Sequence, residues 1–401
     1  MKILQLVNRI PYPLNDGGNL AVHFYTEGFL NAGVSLSMLA MNTTKHWVSP
    51  DKLPEIFSRL TYFHSVKVDT RIRLLPAFLN LFSQKSYNIS RFISKNFEQA
   101  LIKLLQQHSF DIIQLEGLYL MPYMGIIRQF SKAKVVLRQH NAEFVIWERL
   151  AQQADNPFRK NYLSLLARRL KTFENQSLNQ VDLIVPISST DAAVFRQLGA
   201  RKPMFVQSFG FNMAHLPFIP QAQPPLSLYH IGAMDWLPNR EGILFFINQV
   251  MPLISEKCPE LQLHLAGRNM PEYFLKNQWP NVIVQGEVPD ATVFERDKSI
   301  LVVPLLSGGG VRIKVFRAMA LGKAIVSTSV GVEGINVIDS RDAIVADTAE
   351  EMAEKIIRLV NNPKAVLALG QNARQLVEKQ YNQSKMIGEL LQVYQDLIAT
   401  S

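Results

Sequence analysis

The sequence has few of the features that mark secreted, zinc-bound or membrane-spanning proteins. Its 401 residues include a single cysteine, Cys258, which excludes an internal disulfide framework and a cysteine-rich zinc site. No apolar run reaches the roughly 18 to 20 residues that a spanning helix needs, and Asn8 and Arg9 interrupt the first apolar stretch too early for a signal peptide. We therefore expect a cytoplasmic protein, with peripheral attachment at the inner face of the membrane as an open alternative.

Acidic residues are also scarce, but only in the first half. Residues 1–200 carry 23 Lys and Arg against 14 Asp and Glu, whereas residues 201–401 carry 19 of each. A basic half predicts contact with an anionic membrane surface, a lipid-linked phosphate or an acidic glycan. Nucleic acid is not expected, because no arginine-rich tract, RNA-binding aromatic signature or zinc-finger spacing accompanies the charge. Residues 71–103 mix cations with Leu and Phe, a pattern that suits an anionic leaflet and equally suits a helix packed on its own domain.

Short apolar strands alternate with helical patterns on both sides of a proline-rich stretch at residues 204–225. This pattern predicts an α/β protein with two doubly wound parallel-sheet domains, residues 1–212 and 213–380, and a C-terminal helix, 381–401, that returns to the first domain. Ligands of such sheets bind beyond the carboxyl ends of the strands. The strands are expected at residues 2–7, 34–41, 110–115, 134–138, 181–186, 227–231, 262–266, 282–285, 299–304 and 324–328.

The strongest local signal lies between Pro304 and Thr328, where a strand end, three glycines, a helix and a further strand follow one another. The glycines let backbone amides approach a ligand closely, and a helix expected to begin near Val311 would point its positive end at the same place. Arg312 and Lys314 would then lie in the first helical turn, where cations are unfavourable unless an anion such as a diphosphate binds there. An ordinary turn beside two solvated cations is the alternative.

This segment resembles the donor-binding region of glycosyltransferase family 4, the GT-B enzymes also called glycosyl transferases group 1, and in particular a bacterial subgroup with a glycine-rich loop. The resemblance extends over nearly the whole chain. Further similar segments are residues 11–18, 138–143, 230–242, 265–271 and 285–290.

The resemblance implies two Rossmann-like domains facing across a cleft, and a retaining transfer of sugar from a nucleotide-diphosphate sugar to a glycan or lipid-linked acceptor in polysaccharide or cell-envelope glycan synthesis. It implies no cofactor and no metal, in line with the absence of any Asp-x-Asp pair. It gives His140 a catalytic role, and it gives Asn141 and Glu143 contacts with the acceptor unless they lie in a solvated loop. The donor-binding residues that it implies are Gly17, Gly18, Asp235, Arg268, Glu287, Gly308, Gly309, Gly310, Arg312, Lys314, Arg317 and Glu333.

One departure from the family pattern concerns Arg317. Relatives usually carry two glutamates eight positions apart, which here correspond to Gly309 and Arg317. A guanidinium only donates hydrogen bonds and cannot accept them from a ribose diol. Arg317 could bind phosphate, another acceptor such as Glu333 could hold the ribose, or donor binding could be weakened.

Two rival functions therefore stay open: a non-catalytic sugar-nucleotide or glycan-binding protein of the same fold, and a sugar-nucleotide epimerase. An NAD-dependent oxidoreductase is disfavoured, because the first strand is not followed by Gly-x-Gly-x-x-Gly.

Overall fold

The computed structural model describes residues 1–14, 17–154, 156–208, 210–213, 216–220, 226–308 and 312–400. The chain divides into two compact units. The N-terminal unit comprises Met1–Phe209 together with Gln383–Ser401, and the C-terminal unit comprises Gly210–Asn382.

The N-terminal unit contains a parallel six-stranded sheet in the order β3-β2-β1-β4-β5-β6. Its strands are β1 (Lys2–Val7), β2 (Ser35–Thr43), β3 (Tyr62–Val68), β4 (Ile112–Glu116), β5 (Lys134–Gln139) and β6 (Leu183–Pro186). Its α-helices are α1 (Gly17–Asn31), α2 (Leu74–Asn80), α3 (Tyr87–Ser90), α4 (Lys95–Gln107), α5 (Met124–Phe130), α6 (Glu143–Gln152), α7 (Pro157–Leu178) and α8 (Ser189–Leu198). Short 3-10 helices cover Pro50–Lys52, Glu55–Arg59 and Leu118–Tyr123.

The C-terminal unit repeats this plan with the strand order β12-β11-β10-β7-β8-β9. Its strands are β7 (Ser227–Ile231), β8 (Gln262–Ala266), β9 (Val282–Gly286), β10 (Ile300–Val303), β11 (Ala324–Ser327) and β12 (Ile344–Val345). Its α-helices are α9 (Leu237–Phe245), α10 (Met251–Lys257), α11 (Glu272–Lys276), α12 (Ala291–Arg296), α13 (Ile313–Leu321), α14 (Ala349–Val360) and α15 (Pro363–Gln380). A π-helical turn, Phe246–Val250, joins α9 to α10. The α/β class with two doubly wound parallel sheets is thus confirmed.

The central strands form because both faces of each sheet are covered by helices, which favours continuous apolar runs. β1, β4, β5 and β10 are buried over almost their whole length. β3 was missed by the sequence reasoning. It is an edge strand with several exposed or half-buried side chains, and its polar residues interrupt the apolar run.

The last helix, α16 (Gln383–Ala399), belongs to the N-terminal unit and packs against α1. Buried Tyr394 donates a hydrogen bond of 2.5 Å to Gln114 in β4. Gln383 donates to the carbonyl oxygen of Phe24 at 2.9 Å. Across the part of the chain that the structure describes, no helix combines the length and the apolar character needed to cross a bilayer.

Each sheet has its first strand in the interior, with later strands added on both sides. β1 lies between β2 and β4, and β7 lies between β8 and β10. At such a switch point the loops that follow the two neighbouring strands diverge, which leaves a crevice where α/β proteins bind ligands. The residues at these two switch points are therefore the first candidates for a functional site.

Candidate functional site

A partly buried polar network lies at the switch point between β7 and β10. The Nδ1 atom of His230 in β7 lies 2.8 Å from the carbonyl oxygen of Val302 in β10, so Nδ1 carries the proton and donates. The Nε2 atom is then an acceptor, and the ammonium of Lys314 lies 3.0 Å from it. Lys314 also donates to Oδ1 of Asn239 at 2.8 Å, and the amide nitrogen of Asn239 donates to the carbonyl oxygen of Ala233. The network thereby holds the Lys314 amine at the carboxyl end of β7.

The network places a cation where it is poorly compensated. Burial lowers the pKa of Lys314 well below its ordinary value, and the nearby charge of Arg312 lowers it further. Burial and the charge of Lys314 likewise lower the pKa of His230, which stays neutral. Among the described residues, Lys314 has no carboxylate within ion-pair distance. A bound anion would supply the missing negative charge and raise the pKa of the amine.

Two further guanidinium groups lie in the loops at this end of the sheet. Arg312 is buried against Trp236, with its guanidinium carbon 5.2 Å from the ring centroid. Gly308, at a φ of 115°, lies so close to both that an added Cβ would be 3.0 Å from an Arg312 nitrogen and 3.1 Å from Trp236. Arg268 follows β8, and its buried Nε has no hydrogen-bond partner within the described part of the chain. The structure therefore groups three of the predicted donor-binding residues, Gly308, Arg312 and Lys314.

The beginning of α13 differs from the prediction. The helix starts at Ile313 rather than near Val311, because Arg312 has extended backbone angles (φ −92°, ψ 96°) and occupies the N-cap position. Its side chain makes no capping hydrogen bond with the first turn. The amides of this turn consequently point their partial positive charge toward the same end of the sheet as the Lys314 amine.

Backbone segments lie very close to one another near the carboxyl ends of the strands in the C-terminal unit. An added Cβ at Gly267, after β8, would overlap the carbonyl oxygen of Gly232, after β7. An added Cβ at Gly242 in α9 would overlap the carbonyl oxygen of Pro304, after β10. Residues without a Cβ are required at these positions, because the obstructing atoms are backbone atoms that cannot rotate away.

Arg317 has an internal partner that the sequence did not reveal. Its Nε lies 2.9 Å from a carboxylate oxygen of Glu295, and its Nη2 donates to the hydroxyl of Thr292 at 2.7 Å. Glu295 is fully buried in α12, and burial raises its pKa to about 7 although Arg317 and Lys323 oppose this shift. The arginine therefore compensates a buried carboxylate.

Comparison with known proteins shows a family similarity within the C-terminal unit. Residues 225–362 match the family model described as glycosyl transferases group 1. This part of the chain is similar to glycosyl transferases group 1, and we call it the group 1 domain. The network around Lys314 and the Arg317–Glu295 pair both lie within this group 1 domain.

Relatives of known sequence or structure align with almost the whole chain. An uncharacterized 44.6 kDa protein in the cps region of Klebsiella pneumoniae is 20% identical, over 97% of this chain and 98% of its own length. The structure resembles sucrose-phosphate synthase from Thermosynechococcus elongatus with a TM-score of 0.73 at 17% identity, covering 100% of both chains. It also resembles Anabaena HepE in complex with UDP, with a TM-score of 0.66 at 12% identity, over 99% of this chain and 100% of the other. These structural likenesses show the GT-B fold.

The other predicted donor residues of the group 1 domain lie in the segments after β7, β9 and β11 or outside the described residues. Asp235 is exposed and accepts a hydrogen bond from Asn269. Glu287 is exposed beyond β9, an edge strand, and Glu333 is half-buried after β11. Gly309 and Gly310 lie outside the described residues.

Sequence reasoning missed His230, although this residue belongs to the segment that carried the resemblance. Its signal was weak because a histidine within an apolar strand suggests a core position. Only the pairing of β7 with β10 places His230 beside the amine of Lys314 in α13.

In the N-terminal unit, the switch point between β1 and β4 is occupied by Glu116. Its carboxylate accepts hydrogen bonds from Gln5 at 2.8 Å and Gln114 at 2.5 Å on one oxygen, and from Arg138 at 2.8 Å on the other. The Nε2 atom of His140 lies 3.1 Å from this second oxygen. Burial disfavours the ionised carboxylate, but Arg138 and His140 lower the pKa of Glu116 to about 2. Gly17 and Gly18 begin α1, the helix that follows β1.

His140 is consequently a neutral imidazole with a fixed orientation. Burial lowers its pKa, Arg138 lowers it further, and Glu116 opposes both. Because ionised Glu116 can only accept, Nε2 carries the proton and Nδ1 is left as the acceptor. The sequence predicted His140 but gave no sign of Glu116, which lies on a different strand.

Glu143 does not lie in a solvated loop, because it is the first residue of α6. Its carboxyl accepts a hydrogen bond from Tyr119 at 2.9 Å, and burial raises its pKa. Buried Glu174 accepts hydrogen bonds from the backbone amides of Glu143 and Phe144, which fixes the start of the helix. Asn141 is half-buried between β5 and α6.

Proposed function

We propose that this protein is a glycosyltransferase that moves a sugar from a nucleotide-diphosphate sugar to a glycan or lipid-linked acceptor. The observation that carries the proposal is the half-buried Lys314 amine, which lies at the switch point of the group 1 domain without a carboxylate partner in the described residues. A diphosphate is the anion for which such a position is suited, because ammonium, guanidinium and backbone amide groups can together neutralise it.

The chemistry follows from the charge that develops on the leaving diphosphate. When the bond between the sugar and the diphosphate breaks, negative charge increases on the departing oxygen. Lys314, Arg312 and Arg268 with the first amides of α13 would stabilise this charge, and so take the part that a divalent cation has elsewhere. The sequence has no Asp-x-Asp pair for such a cation, so we propose a metal-independent reaction. Retention of the anomeric configuration is proposed with it, on the family resemblance.

The remaining donor contacts are assigned by chemistry. Arg317 pairs with Glu295 and has no acceptor atom to offer, so the ribose hydroxyls need an acceptor elsewhere in the domain. We propose Glu333 for this role. The backbone at Glu287 would contact the base, and Asp235 would contact the sugar. Because Anabaena HepE was solved in complex with UDP, uridine nucleotides are the first to test.

We assign His140 to the transferring sugar, where its imidazole holds or polarises a hydroxyl group. Glu116 accepts from Nε2 and so presents Nδ1 as an acceptor for that hydroxyl. Asn141 and Glu143 are proposed to orient acceptor hydroxyls. The relative in the cps region supports polysaccharide or cell-envelope glycan synthesis as the process.

Nucleotide binding tests the donor site. Calorimetry with UDP and UDP-glucose should show binding to the wild type that Lys314→Met weakens. The matched control is Lys276→Met, which removes an exposed lysine of α11 that pairs with Glu272. Equal affinities of the two variants would refute the role of Lys314.

Turnover separates the proposed enzyme from its rivals. A transferase releases UDP from UDP-sugar in a manner that depends on added acceptor. Binding without turnover in the presence of acceptor extracts would indicate a sugar-nucleotide or glycan-binding protein. Conversion of the donor without acceptor would indicate an epimerase.

A further inference from the structure

The apolar face of α2 and the turn after it points outward. Leu75, Phe78, Leu79 and Phe82 follow the i, i+3, i+4, i+7 spacing of a single helical face and are 68%, 58%, 59% and 81% exposed. Ile72, just before the helix, is 69% exposed. We call these five side chains the apolar stripe. A helix of a globular protein ordinarily turns such a face toward the core, so this orientation needs a cause.

Polar contacts hold the segment in this orientation. Arg169 in α7 donates to the carbonyl oxygens of Asn80 at 2.8 Å and of Leu81 at 2.9 Å, at the end of α2. Before the helix, the hydroxyl of Tyr87 lies 3.0 Å from the backbone nitrogen of Arg73 and 3.1 Å from its carbonyl oxygen. Both ends of α2 are therefore attached through the backbone, and the stripe remains uncovered.

The surroundings of the stripe are basic. Residues 71–97 contain five Lys and Arg and no Asp or Glu, and residues 156–173 of the α7 region contain five more cations and again no acid. Exposed cations in these two segments include Arg71, Arg73, Lys85, Arg159 and Lys160. Phe158, at the beginning of α7, is 86% exposed. Asp69 pairs with Arg71 and Arg73, and Glu148 pairs with Lys171, so the cations of this surface still outnumber the acids that pair with them.

We propose that the apolar stripe inserts into an anionic lipid leaflet, with the flanking cations on the lipid headgroups. An exposed apolar row of this size with a polar rim marks a binding surface. A leaflet offers acyl chains for the aromatic side chains and negative charge for the cations, which is the combination that this surface complements. The inference does not depend on the proposed transfer reaction, because it concerns adsorption alone.

The test is sedimentation of the full chain with vesicles of phosphatidylcholine alone and of phosphatidylcholine mixed with phosphatidylglycerol. Wild type should bind the mixed vesicles, bind less at high salt, and bind little to phosphatidylcholine. The double variant Phe78→Ser/Phe82→Ser should lose at least about tenfold in vesicle affinity, because two large apolar side chains no longer leave water. Lys85→Ser should show a smaller, salt-dependent loss. Ile338→Ser, which alters an exposed apolar side chain of the C-terminal unit, should bind as wild type does.

A site-specific probe shows whether the stripe itself inserts. Since Cys258 is the only cysteine, Phe82→Cys in a Cys258→Ala background can carry one environment-sensitive dye. Its emission should shift to the blue with mixed vesicles, whereas a dye at Ile338→Cys should not respond. Absence of a shift, or equal binding of the Phe78→Ser/Phe82→Ser protein, would overturn the proposal. A wild-type dimer that this double variant converts to a monomer, without vesicle binding by either, would instead show an interface between copies of the chain.

Discussion

Replacing Lys314 with methionine is the most informative perturbation, because its effects on binding and on stability have different causes. The change removes the amine that lies 3.0 Å from His230 and 2.8 Å from Asn239, while an unbranched side chain of similar length remains. A hydrogen bond to a charged group contributes about 1.5 to 3 kcal/mol. UDP affinity should therefore fall about 10- to 150-fold.

The substitution Lys314→Met should change the stability of the unliganded protein much less than it changes nucleotide affinity. Burial lowers the pKa of Lys314, so the folded state holds this proton less tightly than the unfolded chain does, and the group opposes folding at neutral pH. Methionine removes that penalty but leaves the acceptors of His230 and Asn239 without their donor, which costs about 1 to 3 kcal/mol. Because the two terms oppose each other, the melting temperature without ligand should change little.

Ligand-induced stabilisation gives the clearest assay. At a UDP concentration near 100 times the wild-type dissociation constant, binding stabilises the folded state by about 2.7 kcal/mol. A variant with hundredfold weaker binding gains only about 0.4 kcal/mol at the same concentration. Thermal unfolding of wild type, Lys314→Met and Lys276→Met with and without UDP measures this difference. A ligand-induced shift of undiminished size in Lys314→Met would refute the reasoning.

The same site predicts a dependence of binding on pH. A bound diphosphate raises the depressed pKa of the amine, so binding takes up protons and affinity falls as pH rises from the depressed pKa toward the ordinary range of a lysine. Calorimetry in buffers with different ionisation enthalpies measures the uptake. Lys314→Met should abolish the lysine's share of it, and identical uptake in both proteins would contradict the assignment.

Three further outcomes follow from the described contacts. Arg138 and His140 hold the pKa of Glu116 at about 2 against an ordinary 4.5, so the ionised carboxylate contributes about 3 kcal/mol to the free energy of unfolding. This contribution is present above pH 4.5 and is lost as pH falls toward 2. Acid titration of unfolding should therefore show a smaller loss of stability in Glu116→Gln than in the wild type. Gly267→Ala should lower the melting temperature, since its Cβ would meet backbone atoms, whereas the control Gly388→Ala, with open space in α16, should raise stability by up to about 1 kcal/mol. Arg317→Glu should destabilise the protein by about 3 to 5 kcal/mol, because it removes the partner of buried Glu295 and places a second carboxylate beside it. In urea unfolding, adding Glu295→Gln should recover part of this loss. Additive effects of the two substitutions would exclude an interaction between the two side chains.

Sequence patterns alone were sufficient for much of the architecture. The bounds of β1, β7 and β8 agree with the expected ranges, because a strand buried on both faces is a short apolar run that local composition reveals. The glycine-rich segment and the cations after it likewise identified the group 1 domain. Such features depend on neighbours along the chain, which the sequence displays directly.

The partners of the site residues were decided by tertiary structure. Lys314 and His230 are 84 positions apart, and His140 and Glu116 are 24 apart on different strands. Arg317 could not be interpreted without Glu295, and periodicity alone could not tell that the apolar face of α2 is uncovered. Local sequence fixes which face of an element is apolar or charged. Only the packing of elements determines what that face meets, because burial and the distances between charges depend on the whole fold.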